Sequence, residues 1–324
     1  MSNSLATPSR LHNGTGRRAR QEAFAFYCFI SPWLFGLIFL SLLPMLVALA
    51  AAFTNFNGTN IFTLRYVGMA NFTRAFGDGQ ALSALWRTSY LALLIVPLTQ
   101  LLAFALAVAL NQQLYFRTVF RIIFYIPSVL PVVALAWIFR GLFNTQGGLI
   151  NGVINQINSG MLVRWLNDYP AFVLICLLIW SGTGGMTLVY LAGLQSVSTE
   201  LEDAARIDGA NRLTVLRHIT IPLMSPIIFY QLILSLIGAL QLAIQPLLLS
   251  ESSRTTGSLA ANPPQPIYTI MVHIFQTTFG KQLFGYGSAL NWLLFMFILA
   301  LTIFIFRFSE YWVYYETDVN RKDA

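Results

Sequence analysis

The side chains best equipped for chemistry in this chain stand together in one polar run, Ser198–Pro226, reading STELEDAARIDGANRLTVLRHITIPLMSP. It carries Glu200, Glu202, Asp203 and Asp208; its one histidine, His218, stands ten residues beyond the last of these and it has no cysteine, so no nucleophile or metal set is evident and its chemistry is recognition. Thr199 and Glu202 have the T-x-x-E spacing of a capping box, which predicts a helix starting near Glu200. On that helix Leu201, Ala204 and Ala205 form a small apolar patch, and Glu202 stands one turn before Arg206 in the favourable order. Gly209 breaks the helix, and Leu213, Leu216 and Ile219 give a second amphipathic piece leading to Pro222, which fits the first turn of a following helix. Two short helices with a glycine bend suit a docking element for another protein; they equally suit an interfacial connector whose charges only solvate it.

A second set is uncharged. Trp180, Gly182 and Gly185 lie in one apolar stretch, and Gln231, Ser235, Gln241 and Gln245 in another. Amides and a hydroxyl would meet the hydroxyls of a polar solute, and an indole would meet the C–H face of a sugar. Hydrogen bonds between packed helices use the same residues. Chemistry of other kinds finds little support. No G-x-x-x-x-G-K-[ST], H-E-x-x-H or G-x-S-x-G occurs, and His12, His218 and His273 are widely dispersed. The expectation is a chain without cofactor or metal that is not itself an enzyme. Cys28 and Cys176 both fall in apolar stretches and read as small hydrophobes.

The elements that must hold these residues are membrane helices. Hydrophobic residues make up 56% of the 324 and charged residues only 10%, too few to cover a water-exposed surface. Six segments are long enough to cross a bilayer: Phe24–Phe53, Trp86–Leu110, Val119–Phe139, Ala171–Leu194, Ile221–Leu249 and Tyr286–Phe306. The first is too long for a signal-peptide core. The organisation predicted is a polar N-terminal tail over 1–23, a six-span all-α domain over 24–307 with its polar loop at 198–220, and a C-terminal tail over 308–324. Arg10, Arg17, Arg18 and Arg20 before the first span, Arg117 and Arg121 after the second, Arg206, Arg212 and Arg217 after the fourth, and Arg307, Arg321 and Lys322 at the end share one side. Positive charge collects on the cytoplasmic side, which puts both termini in the cytoplasm. The net charge of +7 is scattered, with no basic run interleaved with aromatics, so nucleic acid is not an expected partner.

The polar loop resembles the EAA loop of ABC importer permeases, in which EAA is followed by a glycine and later by LP. Here the run is Asp203-Ala204-Ala205, then Gly209, then Ile221-Pro222. Its longer form, with SPWLFGLIFLSLLP, YVGMANFTRAF, FRIIFYIPSVLPVVALAWIFRGLFN, WSGTGGMTLVYLAGLQ and WVYYE in order, resembles the carbohydrate-uptake branch that includes the maltose and glycerol-3-phosphate permeases. The resemblance implies a type I importer permease in a bacterial inner membrane. Its partners would be a second permease subunit, two ATPase subunits and an extracytoplasmic solute-binding protein. It implies that Glu202, Asp203, Ala204, Ala205, Asp208 and Gly209 form a coupling helix seated on the ATPase, with Asp203 in place of the usual glutamate. It also implies a solute path along Trp180, Gly182, Gly185, Ser235, Gln241 and Gln245, with Gln241 and the Trp180–Gly185 stretch foremost. A GGP turn common in relatives after the fifth span is replaced by SESSRTTGSLAANPPQP. The rival reading is a self-contained carrier or channel for a small polar solute, which would have no need of an acidic docking loop.

Overall fold

The computed structural model describes residues 15–59, 62, 64–112, 115–157, 160–250 and 262–314. Among them the chain is helical, with one isolated β-bridge between Thr54 and Tyr66. Helix α1 (Thr15–Gly36) runs through a π-helical turn at Leu37–Leu42 into α2 (Leu43–Ala52). Helical geometry thus begins inside the segment expected to be a tail. Arg20–Ala52 is long and apolar enough to cross a membrane, and none of its most apolar stretch is buried by the rest of the chain. Such a helix needs lipid or another protein around it.

The bundle is built on α4 (Gly79–Asn111) and α9 (Pro170–Ser196), which pack along most of their length. Ala103, Ala107 and Leu110 meet Tyr190, Leu191 and Leu194. The alanines let the backbones approach closely, and the Tyr190 hydroxyl donates to the Gln100 side-chain oxygen across the contact. The last long helix, α15 (Phe284–Ser309), packs against α2, and just past the end of α2 the Gly285 N–H donates to Phe56 O at 2.9 Å.

Two expected spans are broken. Val119–Phe139 is not one helix: α5 (Arg117–Val129) and α6 (Val132–Leu142) meet at 100°. Pro131 is the cause, because its ring drives the preceding Leu130 out of the helical region, to φ −68° and ψ 138°. Five described helices therefore qualify as spans, or six with the bent pair taken as one. Ile221–Leu249 is likewise divided into α12 (Ile221–Leu240) and α13 (Ile244–Leu249). Pro246 cannot bond to the Leu242 carbonyl. That carbonyl accepts from Thr269 Oγ1 at 2.6 Å instead. Thr269 also caps the short helix α14 (Ile270–Phe275), whose Ile270 N–H donates to Thr88 Oγ1 at 2.8 Å. One buried threonine thus ties the break to α4 through its neighbour.

The end of the bundle away from the 198–220 loop is closed by a polar cluster. Asp78 caps α4, accepting from Gln80 N and Ala81 N, and its other carboxylate oxygen accepts from the Tyr286 hydroxyl at 2.7 Å. His273 Nε2 lies 3.6 Å from the same oxygen, and its Nδ1 lies 3.1 Å from the Tyr268 hydroxyl. Burial pushes the Asp78 carboxyl up, but the bonds from Tyr286, Ala81 and Gln80 and the nearby His273 hold it below the usual carboxylate range. Arg74 stacks on Tyr286 at 4.2 Å.

At the other end of α15, residues 310–314 turn back onto α12 and do not leave the bundle as a tail. Val313 is buried, Trp312 packs against Phe229 at 5.9 Å, and the Tyr314 N–H donates to Ser225 Oγ at 2.8 Å. Ser225 in turn donates to the Pro222 carbonyl, which Pro226 leaves without its helical partner. The remainder of the expected tail lies outside the described residues, as does most of the SESSRTTGSLAANPPQP loop.

Candidate functional site

The polar loop forms α10 (Thr199–Ile207) and α11 (Arg212–Val215), continuous through a π-helical turn at Leu216–Thr220 with α12. The cap differs by one residue from the T-x-x-E expectation. Ser198 holds the extended cap position and accepts from Glu200 N at 3.3 Å, so Thr199 is the first helical residue. Glu202 does reach Arg206, at 3.4 Å, and Asp203 reaches the same guanidinium at 3.3 Å. Gly209 has φ +86°, the left-handed conformation that suits glycine, and ends the helix with its N–H on Arg206 O and that of Ala210 on Ala205 O. Asn211 then caps α11 by accepting from Thr214 N at 2.8 Å.

Local bonds thus shape the loop, and while Val215 of α11 is buried, its first helix is left uncovered. Helix α10 buries no residue at all. Leu201, Ile207 and Leu213 are 49%, 86% and 71% exposed, and Asp203, Ala204, Asp208 and Gly209 are exposed beside them. The arrangement offers three apolar side chains, small alanines and a rim of carboxylates on a preformed helical hairpin.

The uncharged set is divided. Gly182, Ser235 and Gln245 converge on a cavity of about 250 Å³ between α4, α9, α12 and α13. Ser235 Oγ donates to Gln231 O at 2.6 Å, so it faces the cavity mainly as an acceptor. The Gln245 amide is half-buried with no hydrogen-bond partner among the described residues. A side chain at Gly182 would press on Thr99 Cγ2 at 3.3 Å, so the glycine keeps that wall open. The other four stand elsewhere. Gln231 is buried within α12, Gln241 is exposed at its end, Trp180 packs on Phe139 at 5.7 Å between ring centres, and Gly185 lies against Ser128 of α5.

Sequence reasoning missed the wall from α4, where Ile95, Val96 and Thr99 line the cavity. Pro97, in the middle of a long apolar run, is the one signal that marks that stretch. It also missed Arg140 of α6, 6% exposed, which reaches Leu248 O at 3.1 Å and ties α6 to α13.

Long apolar helices, a broken span beside a cavity and an uncovered polar hairpin together define a polytopic membrane protein built around an internal site. The chain belongs to the family described as binding-protein-dependent transport system inner membrane component, whose profile matches residues 101–315. It is 30% identical to a probable ABC transporter permease protein, YesP, of Bacillus subtilis, over 93% of this chain and 95% of that one. It is 29% identical to the sulfoquinovosyl glycerol transport system permease protein SmoG of Agrobacterium fabrum, over 82% and 83%. Its fold matches a chain in the crystal structure of a bacterial ABC transporter that imports the acidic polysaccharide alginate. That match has a TM-score of 0.77 at 20% identity and covers 91% of this chain and 98% of that one.

Proposed function

We propose that this chain is one permease subunit of an ATP-driven importer for a sugar or sugar derivative, fed by an external solute-binding protein and powered by separate ATPase subunits. One observation carries the coupling: α10 is fully formed, held by its own cap and ion pairs, and buries no residue in this chain. In this reading Asp203 meets a basic residue of the ATPase, Ala204 and Ala205 allow close approach, and Glu202, Asp208 and Gly209 shape the seat. The loop then faces the cytoplasm, and both termini lie on that side.

The solute passes between this chain and a second permease. Gln245, Ser235 and Gly182 form its contact surface here, with Thr99 on the facing wall. Trp180, Gly185 and Gln241 serve the path only if solute reaches the rim outside that cavity. Relatives named for sulfoquinovosyl glycerol and arabinooligosaccharide transport support a carbohydrate. Alternating access follows when ATP-driven closure rocks the two permeases about the site.

The test is purification of the tagged chain from its native host in mild detergent, with uptake assayed in parallel. The expected result is a complex with ATPase subunits and uptake abolished by ATP depletion. Recovery of the chain alone, with uptake that survives depletion, sinks the proposal.

A further inference from the structure

At the end of the bundle that carries the 198–220 loop, two cations stand without a counter-charge among the described residues. Arg117 and Arg121 lie one turn apart on α5, an arrangement in which like charges repel. Both are half-buried, and both converge on one neutral group. With the Gln195 amide oxygen turned toward them, Arg117 Nη2 donates at 3.0 Å and Arg121 Nη2 at 3.2 Å. Gln195 sits in the last turn of α9, two residues before the Val197–Ser198 link to α10. No carboxylate pairs with either arginine among the described residues, and the Nε atoms of both are enclosed without a hydrogen-bond partner. A guanidinium has five N–H donors. One amide oxygen shared by two such groups leaves most of that capacity, and all of the charge, unanswered among the described residues.

We propose that Arg117 and Arg121 bind the phosphate of an anionic phospholipid headgroup. Two guanidiniums in fixed relation match the two non-bridging oxygens of a phosphodiester. The location suits a lipid. The pair lies at the first turn of one apolar helix and beside the last turn of another, at the depth where headgroups sit. Tyr115 and Phe116, 92% and 75% exposed, precede it, and Phe120 is exposed on the same helix. Aromatic residues in that setting mark the membrane interface. Basic pockets between membrane helices hold anionic lipids for the same reason. The inference requires that the chain spans a bilayer and is independent of which solute it carries.

The test uses the assembled complex in vesicles of phosphatidylcholine with or without phosphatidylglycerol, followed by native mass spectrometry of lipids retained after mild delipidation. Wild type should retain phosphatidylglycerol and gain thermal stability from it. In Arg117→Gln/Arg121→Gln retention should fall by about tenfold or more, and the stability gain should vanish. Should that variant fail to assemble, Arg117→Lys/Arg121→Lys keeps the charge but loses the forked geometry, and weaker retention in it supports the site. Equal retention in wild type and variants overturns the proposal. So does an identical stability gain from inorganic phosphate alone, which would assign the site to a free anion. Loss of a protein subunit from the glutamine variant with lipid retention intact would instead give the arginines to a protein carboxylate, and also overturns it.

Discussion

The two ends of this bundle spend their charged groups differently. At one end Asp78, Tyr286 and the neighbouring pair Tyr268 and His273 come from three separate places in the chain and bond to one another, so the cluster fastens the start of α4 to α14 and α15. At the other end Glu202 and Asp203, four and three residues from Arg206 on the same short helix, bond to it and to nothing else among the described residues. Removing a group from the first end separates helices. Removing one from the second leaves the bundle intact and changes only what α10 offers to the outside. Here the charge that holds the fold together is paired across the sequence, whereas the charge proposed to meet a partner is paired locally, which keeps that surface ordered and available.

That contrast can be broken by experiment. The largest effect is expected from Asp203→Arg: solute uptake should collapse while the melting temperature of the chain stays near that of wild type. Binding-protein-stimulated ATP hydrolysis and uptake, measured together in reconstituted vesicles, should come apart. If both are normal, α10 does not transmit the stroke. Next is Gln245→Leu in the cavity, where solute hydroxyls lose an amide partner at a cost of about 1–3 kcal/mol, or roughly five- to hundredfold in uptake. Intact assembly with normal uptake would make Gln245 a packing residue.

Asp78→Asn keeps the helix cap but removes the charge that Tyr286 and His273 face. A loss of about 1–3 kcal/mol is expected, read as a lower melting temperature in detergent, with transport per folded complex retained. Failure of transport at unchanged stability would reverse the contrast drawn between the two ends. The smallest change should follow Glu202→Gln. Its exposed pair with Arg206 is worth about 0.3–0.5 kcal/mol, and Asp203 still holds the same guanidinium. A large uptake defect there would show that Glu202, too, meets the partner.

The same contrast explains which features could be read from sequence. The polar loop was legible because its signals are local: a cap, an i,i+4 pair and a glycine within a dozen residues. Even there the cap fell on Ser198 rather than Thr199: Thr199 alone has a glutamate three residues on, but it is the backbone at Ser198 that is extended. Long spans were legible from hydropathy, but their interruptions were not. Pro131 and Pro246 were visible, yet whether a proline bends a helix or ends it depends on which group takes the freed carbonyl. For Leu242 that group is Thr269, 27 residues away. The Asp78 cluster was invisible for this reason, with Tyr286 lying 208 residues from its partner. Of the proposed path, Gly182, Ser235 and Gln245 share a cavity, whereas Gln241 falls at the break between α12 and α13, which the unbroken span predicted for that stretch did not show.

The helix running from Arg212 to Leu240 reaches from the hairpin to the cavity wall as a single rod. From Arg212 to Ser235 it spans about 35 Å, so a tilt of about 10° at its foot swings Ser235 by about 6 Å, a lever long enough to open or shut a passage the width of a sugar ring. The π-helical turn at Leu216–Thr220 adds a residue to one coil of that rod. It rotates the upper segment's azimuth relative to the lower by about 100°, without a joint in the shaft. In the proposed coupling, the side of the rod turned to an ATPase and the side turned to solute are therefore set separately in angle, while the torque between them passes undivided.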